Sequence, residues 1–458
     1  MTPSLIRGRP RRGRSHISVR VAHALLGVVA GVVWLVLPWM TINDAPPVAG
    51  ARASAAAQAE SSGTDLVLPV AVLVVVVALA AYASVRRVRR TRRRTTPAAP
   101  GTTHVGAYPS PAAPPPLADL DDRSRAALVG ADNRLRTLRE DIAFAAAGAG
   151  PEELAPFTRE AAAAEAELAA ACAIRRRYEE GVPEEAAALA GVVGRCEEAE
   201  RRLTGAAESL RALRGLDRDP AAALASAETR FRELTARTAG ADTALTDDSV
   251  TGYLELAKDS LVTATVELNQ THQATASGRP EDAARHLRVA ETAIARADVL
   301  VTAMTRLREA RAEAAGLIPP ALTGAEAELA PFRDGTAYEG ERYARLLHAD
   351  AVLAAVRQET TSGQPYDPLG VLRRIAHATA PLATGRSGVL PVAALLVARE
   401  SVAAADDYVT VHREAVGAAP RVLLSLARLT DDLPRADALA GEARELAERD
   451  VRLRGHPA

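Results

Sequence analysis

Residues 189–213 read LAGVVGRCEEAERRLTGAAESLRAL. Leu189, Cys196, Leu203 and Leu210 recur every seven residues, and Val192, Ala199, Ala206 and Leu213 each follow three residues later. The charged residues fall between them, at Arg195, Glu197, Glu198, Glu200, Arg201, Arg202, Glu208 and Arg211. A 3.5-residue spacing draws one narrow apolar stripe along a helix, so this stretch predicts a helix packed on its neighbours in the manner of a coiled coil. Small residues at alternate layers let those neighbours approach closely.

The same 3/4 spacing runs through Leu128, Ala131, Leu135, Leu138, Ile142 and Ala145, and again through Val250, Leu254, Ala257, Leu261, Ala264 and Leu268. Glycine and proline interrupt the pattern at Gly148 to Pro151, Gly181/Pro183, Gly215/Pro220, Gly240, Gly278/Pro280, Gly316/Pro319/Pro320, Gly335/Gly340, Gly363 to Pro368, Gly385 to Pro391, Gly417/Pro420 and Pro434. Those breaks predict about ten helices from Leu117 onward, joined as antiparallel hairpins. Eight Tyr, four Phe and two Trp in 458 residues are too few for large globular cores. Narrow Ala/Leu seams are the expected alternative. The fold class expected is therefore all-α: a membrane-anchored, elongated helical bundle with coiled-coil segments.

The near balance of 56 basic and 57 acidic residues conceals a division along the chain. Residues 1–96 hold 14 arginines against Asp44, Glu60 and Asp65. Two apolar runs lie there, 21–40 and 65–85, whose uncharged 20-residue stretches match the length of a bilayer-crossing helix. The tail 1–20 before the first is basic, and Arg86, Arg87, Arg89, Arg90, Arg92, Arg93 and Arg94 follow the second. Basic flanks stay on the cytoplasmic side, which makes 41–64 a short extracytoplasmic loop and 117–458 a cytoplasmic helical region at the cell membrane. The basic stretch opens a Pro/Ala-rich linker over 86–116, and its arginines also suit anionic lipid headgroups. The first run has a second reading as a cleaved signal sequence, because the small-residue run Ala49 to Ala55 offers several A-x-A-like cleavage sites.

Chemistry is sparse. Lys258 is the only lysine, so no phosphate-binding G-x-x-x-x-G-K motif exists, and metalloprotease, C-x-x-C, EF-hand and G-x-S-x-G patterns are absent too. His272, His286, His348, His377 and His412 stand singly, which suits surface or capping roles better than metal binding. Cys172 and Cys196 read as small buried hydrophobes. Of the doublets Asp121-Asp122, Asp247-Asp248, Asp406-Asp407 and Asp431-Asp432, several sit near helix starts, where the dipole favours acids, and that reading is preferred to paired catalytic carboxylates. No catalytic, cofactor-binding or metal site is expected, and no nucleic acid partner, since the basic stretch lacks interleaved aromatics.

Ser62-Gly63-Thr64-Asp65-Leu66-Val67-Leu68-Pro69-Val70, GRCEEAERRL at 194–203, FRELTARTAGADTALT at 231–246, LAKDSLVTATVELNQ at 256–270 and PYDPLGVLRR at 365–374 resemble the membrane and cytoplasmic part of actinobacterial TPM-domain membrane proteins. The likeness runs from Ser62 to the C-terminus. It implies an extracytoplasmic α/β TPM domain, one span and a helical tail. This chain departs from that plan, because only residues 41–64 separate its apolar runs, too few for the domain. The activity of a TPM domain therefore does not carry over, and the resemblance supplies no functional residues. The function expected is a non-enzymatic membrane-anchored scaffold whose helical region binds a protein partner and no small-molecule substrate. The alternative is an accessory or regulatory membrane subunit of an envelope transporter or enzyme.

Overall fold

The computed structural model describes residues 116–182, 184–216, 220–242, 248–334 and 340–454, with the backbone alone at 241–242, 248–251 and 334. The apolar runs at 21–40 and 65–85, the loop between them, the arginines Arg86 to Arg94 and all but the last residue of the 86–116 linker lie outside these residues. The described chain is all helical. Its α-helices are α1 (Leu117–Ala145), α2 (Pro151–Glu179), α3 (Glu185–Leu213), α4 (Ala221–Asp242), α5 (Asp248–Ala276) and α6 (Pro280–Asp334). They continue as α7 (Glu341–Thr361), α8 (Pro368–Thr379), α9 (Val389–Val411), α10 (Ala418–Leu429) and α11 (Leu433–Leu453), with a short 3-10 turn at Ala380–Leu382. Among the described residues no helix is long and apolar enough to cross a membrane.

The seam of α3 is interior. Leu189, Val192, Cys196, Ala199, Leu203, Ala206 and Leu210 are all buried, and only Leu213, at the helix end, is exposed. From Val192 to Leu210 they pack with Leu128, Ala131, Leu135 and Leu138 of α1, with Ala161, Ala164, Leu168 and Cys172 of α2 and with Ala418 and Val422 of α10, while Leu189 packs on Leu120, so the first three helices share one core. A second core joins α4 and α5 to the first half of α6 through Leu234, Leu261, Leu287, Ile294 and Leu300. A third collects the second half of α6 with α7, α8 and the start of α9, around Ile318, Leu329, Leu353, Leu372 and Val397. The fourth holds the end of α9 with α10 and α11, around Val409, Leu424, Ala440 and Val451. Alanine buries little surface and each leucine contributes only about 1.5–3 kcal/mol, so a seam stabilises its immediate neighbours and no more.

Local chemistry sets the ends of these helices. Gly278 takes a left-handed φ of 66° between α5 and α6, which lets its N–H reach the Thr275 carbonyl and lets Arg279 N–H reach Ala274 at 2.9 Å. Asp367 caps α8 by accepting from the amides of Leu369 and Gly370 at 3.2 and 3.0 Å, with Pro368 in the first turn. Asp432 caps α11 through Arg435 N–H at 3.2 Å.

Two features depart from the sequence expectation. The helices are not a simple train of hairpins, because α10 packs against α1 and α2 and so brings the last helices back to the first. The Gly316/Pro319/Pro320 break also ends nothing, since α6 runs unbroken through those prolines for 55 residues. Two prolines withdraw the donors that would reach Ala315 and Gly316, at a cost of about 3 kcal/mol for an interior proline. Packing offsets that cost: Ala314, Ile318, Ala321, Ala325 and Leu329 are all buried on both sides of the break.

Glu328 adds a second hold just beyond. Its buried carboxylate accepts from Thr384 N and Oγ1, both at 2.5 Å, and from Ser387 N at 2.6 Å. Burial pushes that carboxyl up, but the hydroxyl and amide donors outweigh it and leave it below its ordinary value. The loop before α9 is thereby tied to α6. Gly324 completes the fit, because a Cβ there would collide with the Ser387 hydroxyl.

Leu203→Asp places an unpaired carboxylate in the first core and is expected to cost several kcal/mol. Glu200→Ala removes only an exposed partner of Arg134, 3.5 Å away, and is expected to stay within about 0.5 kcal/mol. Thermal unfolding followed by helical circular dichroism compares the two, and equal stability would place the seam on the surface.

Candidate functional site

Where the first and fourth cores meet, Ala418 and Val422 of α10 enter the first core, and beside them the contact is ionic. Asp132 and Arg136 stand one turn apart on α1, so both side chains leave the same face, and Arg136 Nε reaches Asp132 at 3.0 Å. Arg136 Nη1 then crosses to α9, donating to Asp406 at 2.8 Å and to Thr410 Oγ1 at 2.5 Å. Asp406 and Thr410 are themselves one turn apart, which is why one guanidinium meets both. From α10, Arg421 pairs with Asp132, and Arg428 Nη2 reaches Asp406 at 2.6 Å. Arg421 Nη2 also donates to the carbonyls of Arg413 and Val416, at 2.7 and 3.3 Å. One turn further along α1, Glu140 takes Arg413 at 2.7 Å.

The other cores are joined in the same way. Arg214, at the end of α3, pairs with Glu291 of α6 and lies 3.7 Å from Asp141 of α1. Arg306 of α6 reaches Glu400 at 3.0 Å and Asp407 at 2.6 Å on α9. Asp437 of α11 accepts from Arg373 at 3.0 Å, from His377 at 2.8 Å and from Ser401. Each joint sets a planar guanidinium against a carboxylate of another helix, and Arg214 and Arg306 each lie near two.

Burial would push the Asp132 carboxyl up, yet Arg136 and Arg421 outweigh it and hold it below its ordinary value. Asp406 behaves alike, with Arg136 and Arg428 opposing its burial. The flanking acids go the other way: burial raises Glu140, Asp141, Glu291 and Asp407 despite Arg413, Arg214 and Arg306 nearby. The arginines thus favour the charged form of the central pair, whereas burial disfavours it at the flanks.

Several sequence expectations find their places here. Asp406 and Asp407 lie in the last turns of α9, not at a helix start; Asp406 meets arginines of α1 and α10 and Asp407 one of α6, where no dipole helps. Asp432 does cap a helix, and Asp121 bonds Arg175 and Arg125. Cys172 and Cys196 are buried free thiols whose surroundings push both up to about 12, chiefly by desolvation. Such thiols are inert at neutral pH. His272 meets Glu228 at 2.5 Å and His286 meets Glu267 at 2.7 Å, while His412 lies 4.4 Å from the Tyr408 ring. Among the described residues no three His, Cys, Asp or Glu side chains are grouped to hold a metal ion. The ionic joint itself escaped sequence reasoning. Its one local signal is the Asp132/Arg136 spacing, and its partners on α9 are 270 residues away.

Arg136→Ala leaves Asp132 and Asp406 facing each other with fewer cations and is expected to cost about 3–5 kcal/mol. Acid acts on the same pair. Because Asp132 and Asp406 lie below the ordinary 3.8 when folded, the stability they contribute is complete above that pH and is lost as pH falls through their lower values. Thermal midpoints measured against pH should fall steeply below 3.8 for the natural chain. Asp132→Asn should start lower at neutral pH and fall less steeply, and parallel curves would remove Asp132 from the joint.

No family model matches the chain. No solved structure matches it either. Two UPF0603 proteins of Mycobacterium tuberculosis, from strains H37Rv and CDC 1551, are 26% identical over 383 aligned positions, covering 73% of this chain and 58% of their own length. The chain thus spans less than two thirds of these relatives. It is similar to actinobacterial proteins whose name states no activity.

Proposed function

We propose that the chain is a membrane-anchored, non-enzymatic scaffold whose helical region, on the cytoplasmic side, docks a protein partner on the first turns of α9. The observation that carries this reading is the stretch Val389–Ala398, VLPVAALLVA, ten apolar residues in a row. Leu390, Ala393 and Val397 face the third core, while Val392 and Leu395 are 47% and 53% exposed. An amphipathic surface helix carries polar residues on its outer face, so apolar residues on both faces favour a second packing partner. The Glu328 clamp holds the preceding loop and presents this face in a fixed position.

The membrane part of the proposal rests on the two uncharged runs and on the arginines that follow the second, which also suit anionic headgroups. Kinship with TPM-domain proteins, without the TPM domain, is the lineage proposed. Packing of the α3 seam as a coiled coil belongs to the same reading.

A photo-crosslinking residue at position 395 of the full-length chain in its native membrane should yield one discrete adduct, and one at the exposed Glu445 should not. Val392→Asp with Leu395→Asp should abolish a partner's capture and leave thermal unfolding unchanged. Absence of an adduct, or the same adduct from both positions, would overturn the docking face. For topology, a reporter fused after Pro100 should be active only in its cytoplasmic form, and an extracytoplasmic signal there would overturn the anchoring.

A further inference from the structure

Beside the ionic joint, between α1, α2 and α10, lies a cavity of about 130 Å³. Its walls carry Arg136, Arg139, Arg421 and Arg428, against Asp132 and Glu165. Asp406, outside the lining, pairs with Arg136 and Arg428 and offsets part of that charge, which leaves four guanidiniums against three carboxylates.

Arg421 is the most deeply buried of the four arginines. Its side chain is only 4% exposed. Nη1 is taken by Asp132 and Nη2 by two carbonyls, but Nε has no hydrogen-bond partner. A buried guanidinium N–H without an acceptor is costly and rare. Burial and the neighbouring Arg136 charge both press on Arg421, leaving it below its ordinary value.

The size of the cavity narrows the answer. A water molecule takes about 30 Å³ of liquid, so the space admits a small ion with one or two waters and excludes a nucleotide. Arg139 and Arg428 are the more exposed of the four arginines, at 45% and 35%, and stand where an ion would enter. The Ser425 hydroxyl, beside the Cys172 thiol, adds a donor to the same wall. Planar guanidiniums converging on a compact space suit a tetrahedral oxyanion, whose oxygens accept from several forks together.

We infer that this cavity is a binding site for a phosphate-class oxyanion, either free inorganic phosphate or the phosphoryl group of a small phosphomonoester, held by Arg421, Arg136, Arg428 and Arg139. The ion ties α1 and α2 to α10, and so bears on the closure between the first and last helices. It is a site distinct from the docking face on α9 and does not depend on it.

Isothermal titration calorimetry tests this on the full-length chain in detergent micelles, in a phosphate-free buffer at about 0.15 M chloride to screen diffuse attraction. Inorganic phosphate and glycerol phosphate are titrated separately. Saturable binding of phosphate alone assigns the site to the free ion, and binding of both assigns it to the phosphoryl group; either supports the proposal. Arg428→Ala and Arg139→Ala, both at the mouth, should each weaken binding at least tenfold, while Arg449→Ala, exposed on α11, should leave it unchanged. Saturating phosphate should also raise the thermal midpoint of the natural chain and not that of Arg428→Ala, whose midpoint without phosphate shows that it is folded. Absence of saturable heat with both probes would overturn the site, as would a loss in Arg449→Ala equal to that in Arg428→Ala.

Discussion

Arg136 donates to Asp132 on its own helix and to Asp406 and Thr410 on a helix 270 residues away, and with Ala418 and Val422 packed in the first core that bridge closes this long chain on itself. The reason lies in the composition. Alanine and leucine seams build several small cores, each stabilising three or four helices, and only a few residues such as Phe144 and Val422 reach from one to the next. Surfaces left between such cores are the polar faces of amphipathic helices. When those faces meet they bury charges, and buried charges must be paired. Arg136/Asp406, Arg214/Glu291, Arg306/Asp407 and Arg373/Asp437 solve that problem at four separate places.

Pairing of this kind gives less net stability than apolar packing of the same area, because each ion loses its hydration. It gives register instead. Asp132, Arg136 and Glu140 lie on successive turns of α1, and their partners Arg421, Asp406 and Arg413 come from α9, α10 and the segment between them. Sliding one helix by a turn, roughly 5 Å, would set like charges against each other. The lowered carboxyls of Asp132 and Asp406 are the electrostatic trace of that fit.

The seams were legible in the sequence because their signal is local: Leu203 and Ala206 carry their period within one helix, and both are buried as expected. Helix starts such as Asp367-Pro368 were legible for the same reason, since the cap and the proline act within one turn. Pro319-Pro320 misled, because proline weighs only the two hydrogen bonds it removes, while continuity of α6 was decided by Ile318, Ala321 and Leu329 packing against helices from elsewhere in the chain. The Asp406-Asp407 doublet was opaque in a different way. A helix start and a helix interior present the same two letters, and only the arrival of Arg136 and Arg306 from distant segments distinguishes them. Neither Glu328 nor the unpartnered Nε of Arg421 leaves any local trace.

One helix gathers these threads. The first half of α9 is apolar and completes the third core, whereas its second half carries Glu400, Asp406 and Asp407 and is clamped by Arg306 and Arg136. Leu395 and Asp406 are eleven residues apart, about 16 Å along a helix that has no proline between them. A helix transmits displacement as a rod, so a load on the Val392/Leu395 face acts on the same element that the ionic joint holds. The Glu328 clamp opposes tilting at one end and Arg136 with Arg306 oppose it at the other. Coupling between the two ends requires two alternative positions of α9, and the charge register makes the present one discrete, since any intermediate would strand Asp406 between its partners.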